Sequence, residues 1–307
     1  MSLAAVALPV GLKDRHVLVV PRGTDVLALA AAWFPGAAWS IPPVQAGASG
    51  RMTGARFRGM AAQPATGSAG LLQLDATMTL HGPIALDADA ARELGLAPRD
   101  VDAYALASAD PAVRLQGAAM DLVTGWLVAA ARRSGGAIVP ADRARLVQPD
   151  PSAAVDLTLW SAVPMSAHEA VPLVRPALHG ARIGAGEVPS QAYAPEGAFS
   201  VTAVFEYDGA VTVRADRSTD VPMVLSTLDW REYGPWAYHV VWQPTSPEEL
   251  TMDQPSPLHV IARSRVSPGI ARATAALWRA VGGSVVDSMG FLVTPDELRE
   301  RASNIAR

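Results

Sequence analysis

The 307-residue sequence has no cysteine, which excludes disulfide scaffolds, cysteine-ligated zinc and thiol nucleophiles and leaves the redox compartment unreadable. Lysine is nearly absent as well: Lys13 stands alone, and the other 24 basic residues are arginines. Chemistry that needs a lysine, such as a Schiff base or a P-loop, is therefore disfavoured. In a chain so rich in alanine and glycine, the arginine bias fits GC-rich codon usage better than a dedicated anion-binding role. Charge is also sparse, at 18% of residues with a formal net of −4. Nothing in that balance drives the chain toward nucleic acid or an anionic membrane.

Long hydrophobic runs are missing too. The longest apolar helix candidate, Ala118 to Ala131, is interrupted by Asp121 and closed by Arg132 and Arg133, too short to cross a bilayer. Met1 to Leu12 is apolar but lacks the basic start of a signal peptide. A soluble, cytoplasmic protein is the expectation. Half of the residues are apolar, enough for a substantial core and too many for disorder.

What the sequence does contain is internal similarity. Residues 124–149 read TGWLVAAARRSGGAIVPADRARLVQP, and residues 271–295 read ARATAALWRAVGGSVVDSMGFLVTP. Each has an apolar-periodic helix ending in arginine, then Gly-Gly, a β-branched run, a polar turn, a second apolar run and a proline. Glycine suits the left-handed position that closes a helix, and a terminal arginine suits the helix dipole.

The remainder of each half follows the same plan. His16–Val20 and Asp156–Val163 read as strands, each followed by a helix. Thr24 is the expected cap of the first helix, which runs to Phe34; a capping box at Ser166 and Glu169 opens the second. Gly/Ala-rich stretches (35–70 and 180–197) precede further strands at 71–74, 77–80, 199–207, 210–214, 221–225 and 238–242. Asp208-Gly209 signals a two-residue hairpin turn. Acidic helical pieces at 87–94 and 246–249, then strands at 103–107 and 258–262, lead into the Gly-Gly helices, the second opening at Ser267-Pro268.

The predicted fold is therefore α+β: a tandem duplication of a mainly antiparallel sheet with helices on one face. The halves span 14–150 and 155–303, with a proline-containing linker at about 148–154. Two such halves can join into a pseudo-twofold platform, which would remove an exposed edge from each.

Chemistry is harder to find. There is no Walker loop, zinc-protease helix or nucleophile elbow, and Gly184-Ala185-Gly186 lacks the third glycine of a dinucleotide loop. The six histidines show no metal-ligand spacing, so no metal and no cofactor is predicted. The densest stretch is Asp229–His239, where Trp230, Arg231, Tyr233, Trp236 and His239 are the candidate ligand- or partner-binding residues. Aromatics that pin a hairpin to the core are the competing explanation for this stretch. A second candidate is an acid-free loop in which Arg51, Arg56 and Arg58 would grip an anion, against the plainer reading of a solvated loop.

The expectation is a non-catalytic binding or protein-interaction protein, recognising an unknown small molecule or protein. One alternative is an enzyme with acid and base groups near Asp229, Glu232 and His239; the balance leans against catalysis. Another is a structural subunit of a homo-oligomer.

Overall fold

A computed structural model of the protein describes residues 9–44, 67–110, 112–184, 197–252 and 254–303. The chain divides into two compact units, Met1–Pro151 and Ser152–Arg307. Each holds one six-stranded antiparallel sheet, so the chain is α+β.

In the first unit the elements run β1 (Val17–Pro21), α1 (Val26–Ala31), β2 (Ala38–Ile41), β3 (Gly70–Gln73), β4 (Met78–Leu86), α2 (Ala88–Glu93), β5 (Val101–Ser108), α3 (Gly117–Ser134) and β6 (Ala137–Val139). The sheet order is β2-β3-β4-β5-β1-β6. Strand alternation sends Leu18, Val20, Leu80 and Leu106 to the face covered by α1 and α3. Trp126 of α3 is fully buried there and donates its indole N–H to the Leu29 carbonyl at 2.9 Å. Val17, Val19, Ala103 and Ala105 point the other way, into a second core closed by Leu12, Ala91 and Leu94.

The second unit runs β7 (Leu157–Ser161), α4 (Ala167–Val174), β8 (Arg182–Ile183), β9 (Phe199–Phe205), β10 (Gly209–Arg217), α5 (Trp230–Tyr233), β11 (Trp236–Gln243), α6 (Pro257–Val281), β12 (Ser284–Asp287) and α7 (Pro295–Ser303). Its sheet order is β8-β9-β10-β11-β7-β12. Leu159, Val201, Val213 and Tyr238 pack under α4 and α6. On the reverse face, Trp160, Ala237 and Val286 pack with Leu225. Strand for strand, the two orders are the same.

The Gly-Gly pairs do two jobs. Gly135 and Gly282 close α3 and α6 with φ of 65° each, the left-handed conformation that costs other residues strain. The second glycines allow close approach: a Cβ on Gly136 would strike the Val19 carbonyl oxygen, and one on Gly283 the Trp160 carbonyl oxygen. The capping box also forms, with Ser166 N–H donating to Glu169 at 2.8 Å and Glu169 N–H to Ser166 Oγ at 3.4 Å.

Several expectations are corrected. Helices cover more than one face, because α2 in the first unit and the turn at Met223–Leu225 in the second pack against part of the reverse sides. That turn is a 3-10 helix where residues 221–225 read as a strand. The first helix is capped by Asp25, whose side chain accepts from Ala28 N–H; Thr24 instead bonds the Pro21 carbonyl. The Asp208-Gly209 hairpin has three loop residues, since Gly209 pairs directly opposite Phe205.

The largest correction concerns 258–262, which forms the first turns of α6 and not a strand. Ser256 caps that helix by accepting from His259 N–H, and Pro257 occupies its first turn. Pro268, expected to start the helix, lies inside it. The hydropathy was misleading because Leu258, Val260 and Ile261 are exposed, whereas His259, Ala262, Arg263 and Val266 are buried at helical spacing. The acidic piece 246–249 forms a 3-10 turn whose Glu249 carboxylate reaches forward to the Ser256 N–H and hydroxyl.

Candidate functional site

Alternation along β11 separates the aromatic cluster into two faces. Trp236 and Tyr238 point into the helix-covered core, where Trp236 is 9% exposed and Tyr238 donates its hydroxyl to the Val163 carbonyl at 2.7 Å. Arg217 lies over the Trp236 ring at 5.8 Å. His239 points to the reverse face. Trp230 and Arg231 are exposed on the one-turn helix α5, Trp230 at 58%, while Tyr233 packs against the cluster around Trp160 and Leu225. The structure thus leaves His239 apart from Trp236. Arg51, Arg56 and Arg58 lie outside the described residues.

His239 gathers partners that the sequence reading did not select. Its Nδ1 is 3.1 Å from Thr158 Oγ1 on β7, and its Nε2 is 3.8 Å from Asp216 Oδ1 on β10. Asp216 in turn takes Nε of Arg214 at 3.0 Å. The register explains the grouping: His239 pairs with Thr158 on one side and Arg214 on the other, with Asp216 two residues along β10 on the same face. Asp229, by contrast, is spent as the cap of α5, accepting from Arg231 N–H at 3.0 Å. The carboxylate that meets His239 is therefore Asp216. Alternation in Thr212-Val213-Arg214-Ala215-Asp216 was the available signal, but only the pairing to β11 turns it into a cluster.

Electrostatics set the state of the group. Burial holds the His239 pKa below its usual 6.5, Asp216 works against this and Arg214 adds to it. The ring is neutral at pH 7. A neutral imidazole carries one N–H, and Asp216 favours it on Nε2, leaving Nδ1 to accept from Thr158. Arg214 has a 57%-exposed side chain, and its terminal nitrogens have no hydrogen-bond partner among the described residues. Thr202, Thr212 and Gln243 continue the polar row, with Thr202–Thr212 at 3.1 Å and Thr212–Gln243 at 3.4 Å. The face thus offers an open guanidinium edge beside a fixed hydroxyl–imidazole–carboxylate array.

The same positions in the first unit differ. Val17 lies between Ala105 and Val139 just as Thr158 lies between His239 and Val286. Val17 and Ala105 therefore stand where the second unit carries Thr158 and His239. No three His, Asp or Glu side chains among the described residues are placed to share a metal ion.

Comparison with protein-family models, curated proteins and solved structures gives no match. The geometry has to carry the functional reading. Among the described residues no helix is long and apolar enough to cross a membrane.

Proposed function

We propose that this chain is a non-catalytic binding protein that arose by duplication of one α+β unit, and that its second unit recognises a ligand or partner through the face formed by Thr158, Arg214, Asp216 and His239. The observation that carries the reading is the exchange of Val17 and Ala105, sealed under α2, for Thr158 and His239 at the same register. A sheet face kept polar, with its side chains oriented by one another and one guanidinium edge outward, suits recognition of an acceptor or anionic group. The duplication is supported by the shared strand order, by Tyr104 and Tyr238 at one register, and by a β-bridge after each Gly-Gly turn, Ile138–Val147 in the first unit and Val286–Leu292, one position further along the strand, in the second.

The test is native mass spectrometry of the purified chain beside an Arg214→Ala/His239→Ala variant. A bound species or oligomer on the wild type that the variant loses supports the face. Retention of that species by the folded variant overturns it.

An enzymatic reading has one specific observation in its favour, the Thr158–His239–Asp216 order of hydroxyl, base and carboxylate. This reading keeps His239 as the base and has Asp216 in place of Asp229 and Glu232 as the carboxylate. Release of nitrophenol from p-nitrophenyl acetate by the wild type, lost in Thr158→Val, would favour it over pure binding.

A further inference from the structure

The first unit carries a feature that the proposed face does not use. An open groove of about 930 Å³ lies at the end of its sheet, lined by Arg15, His16, His81 and Arg114. That volume falls in the range of small-molecule sites. None of these four side chains makes a hydrogen bond or ion pair among the described residues. Elsewhere in the unit arginines are engaged: Arg22 with Asp100 and Asp102, Arg92 with Asp89, Arg99 with the Gly135 carbonyl. Among the described residues the single carboxylate lining the groove is Asp14, whose backbone has φ of 56°. Leu106, Leu115 and Met120 give it an apolar wall, and Thr79 and Ser108 add hydroxyls.

The second unit shows why the groove is there. Continuing the register, Ser108 takes the place of Trp242 and Arg15 the place of Asp156. Trp242 is almost fully buried: its ring sits 4.9 Å from that of His259, its indole donates to the Asp208 carbonyl at 2.7 Å, and its backbone N–H donates to Asp156 at 2.8 Å. One unit fills this end of the sheet with a buried indole and a half-buried carboxylate. The other replaces them with a serine and an arginine and leaves the space open.

We infer that this groove is a binding site for a small organic oxyanion, a phosphate monoester or a carboxylate with an apolar body. Arg15 and Arg114 supply the charge-assisted hydrogen bonds, His16 and His81 supply further ring N–H donors, and the Leu106–Leu115–Met120 wall takes the apolar part. Two arginines that line one groove and have no protein partner among the described residues leave donor capacity that an oxyanion satisfies and a neutral ligand does not.

The experiment is isothermal titration of the full chain with phenyl phosphate, benzoate and inorganic phosphate. The expected result is saturable one-to-one binding of phenyl phosphate or benzoate, with inorganic phosphate weaker because it lacks the apolar body. The tighter of the two organic ligands distinguishes phosphate from carboxylate. Arg15→Gln and Arg114→Gln, both at exposed positions, are each expected to weaken binding about tenfold. Ser108→Trp, which introduces the residue of the second unit, is expected to abolish it. Arg214→Ala should leave this affinity unchanged, so failure here and failure of the face on the second unit remain distinguishable. The inference is overturned if neither organic anion binds, or if the Arg15→Gln/Arg114→Gln double variant binds as tightly as the wild type.

Discussion

The two units use one strand order to make two different surfaces. In the first, the reverse face of the sheet is sealed by α2 over Val17, Val19, Ala103 and Ala105, and the strand end is open beside Arg15 and Ser108. In the second, the strand end is closed by Trp242 and Asp156, and the reverse face is polar around His239. Each unit thus seals one place and leaves the other exposed. Backbone features tolerate no such exchange: both units keep a glycine against the first strand's carbonyl and a buried tyrosine at the same register. Side chains that alternate off a fixed ladder can change polarity without disturbing the hydrogen bonds beneath them, whereas a glycine packed on a carbonyl cannot change at all.

The comparison is broken most severely at those glycines. Gly136→Ala and Gly283→Ala both place a Cβ into a carbonyl oxygen, and Gly283 also has φ of 102°. Each substitution should cost about 3–5 kcal/mol in urea-induced unfolding. A near-neutral result for one would show that the two helix–strand junctions are not equivalent.

Asp156 comes next, because its counterpart Arg15 is exposed. Burial pushes the Asp156 carboxyl up to about 6, although the Trp242 N–H bond pulls it down. The folded state therefore holds this proton more tightly than the unfolded chain, so the contribution to stability is present in acid and is lost as pH rises from about 3.8 to about 6. Asp156→Asn keeps an acceptor for Trp242 and removes the charge. The variant should exceed the wild type by up to about 3 kcal/mol above pH 6, and the gap should close toward pH 4. Parallel urea titrations at pH 4, 5 and 7 check both the size and the sign.

The tyrosines sharpen the comparison further. Tyr238 donates to the Val163 carbonyl, whereas Tyr104 has no hydroxyl hydrogen bond among the described residues. Tyr238→Phe should lower stability by about 1 kcal/mol and Tyr104→Phe should be closer to neutral. Equal losses in thermal denaturation would mean that the two hydroxyls are used alike.

The smallest effect belongs to His239. Its lowered pKa means that the folded state binds the proton less well than the unfolded chain, so its contribution grows as pH rises toward 6.5 and falls in acid below it. That slope opposes the one from Asp156. His239→Gln should flatten the acid side of the stability profile, while Gln at the equivalent Ala105 would act through packing and leave the pH dependence as it is.

Much of this architecture was legible before any coordinates. The Gly-Gly pairs, the Ser166–Glu169 box and the alternation in β9, β10 and β11 are local signals whose physics is complete within a few residues. Edge strands β2 and β8 were hidden in Gly/Ala-rich stretches because they are short and mostly exposed. The start of α6 was misread because its buried stripe runs through His259 and Arg263, two residues that a hydropathy pattern assigns to solvent. Of the candidate site, sequence reasoning reached His239 and missed Thr158, Arg214 and Asp216, which lie 23 to 81 positions away along the chain.

What the sequence determined by itself is the set of features whose ends and periods are written locally: where α3 and α6 stop at Gly-Gly, where the capping box opens α4, and where the long strands alternate. The tertiary structure decided which alternating face meets a helix and which meets solvent, and therefore that Trp236 packs inward while His239 joins Asp216 and Thr158. That choice depends on strand register and on what covers each face, quantities set by pairings between distant segments, and no local pattern encodes them.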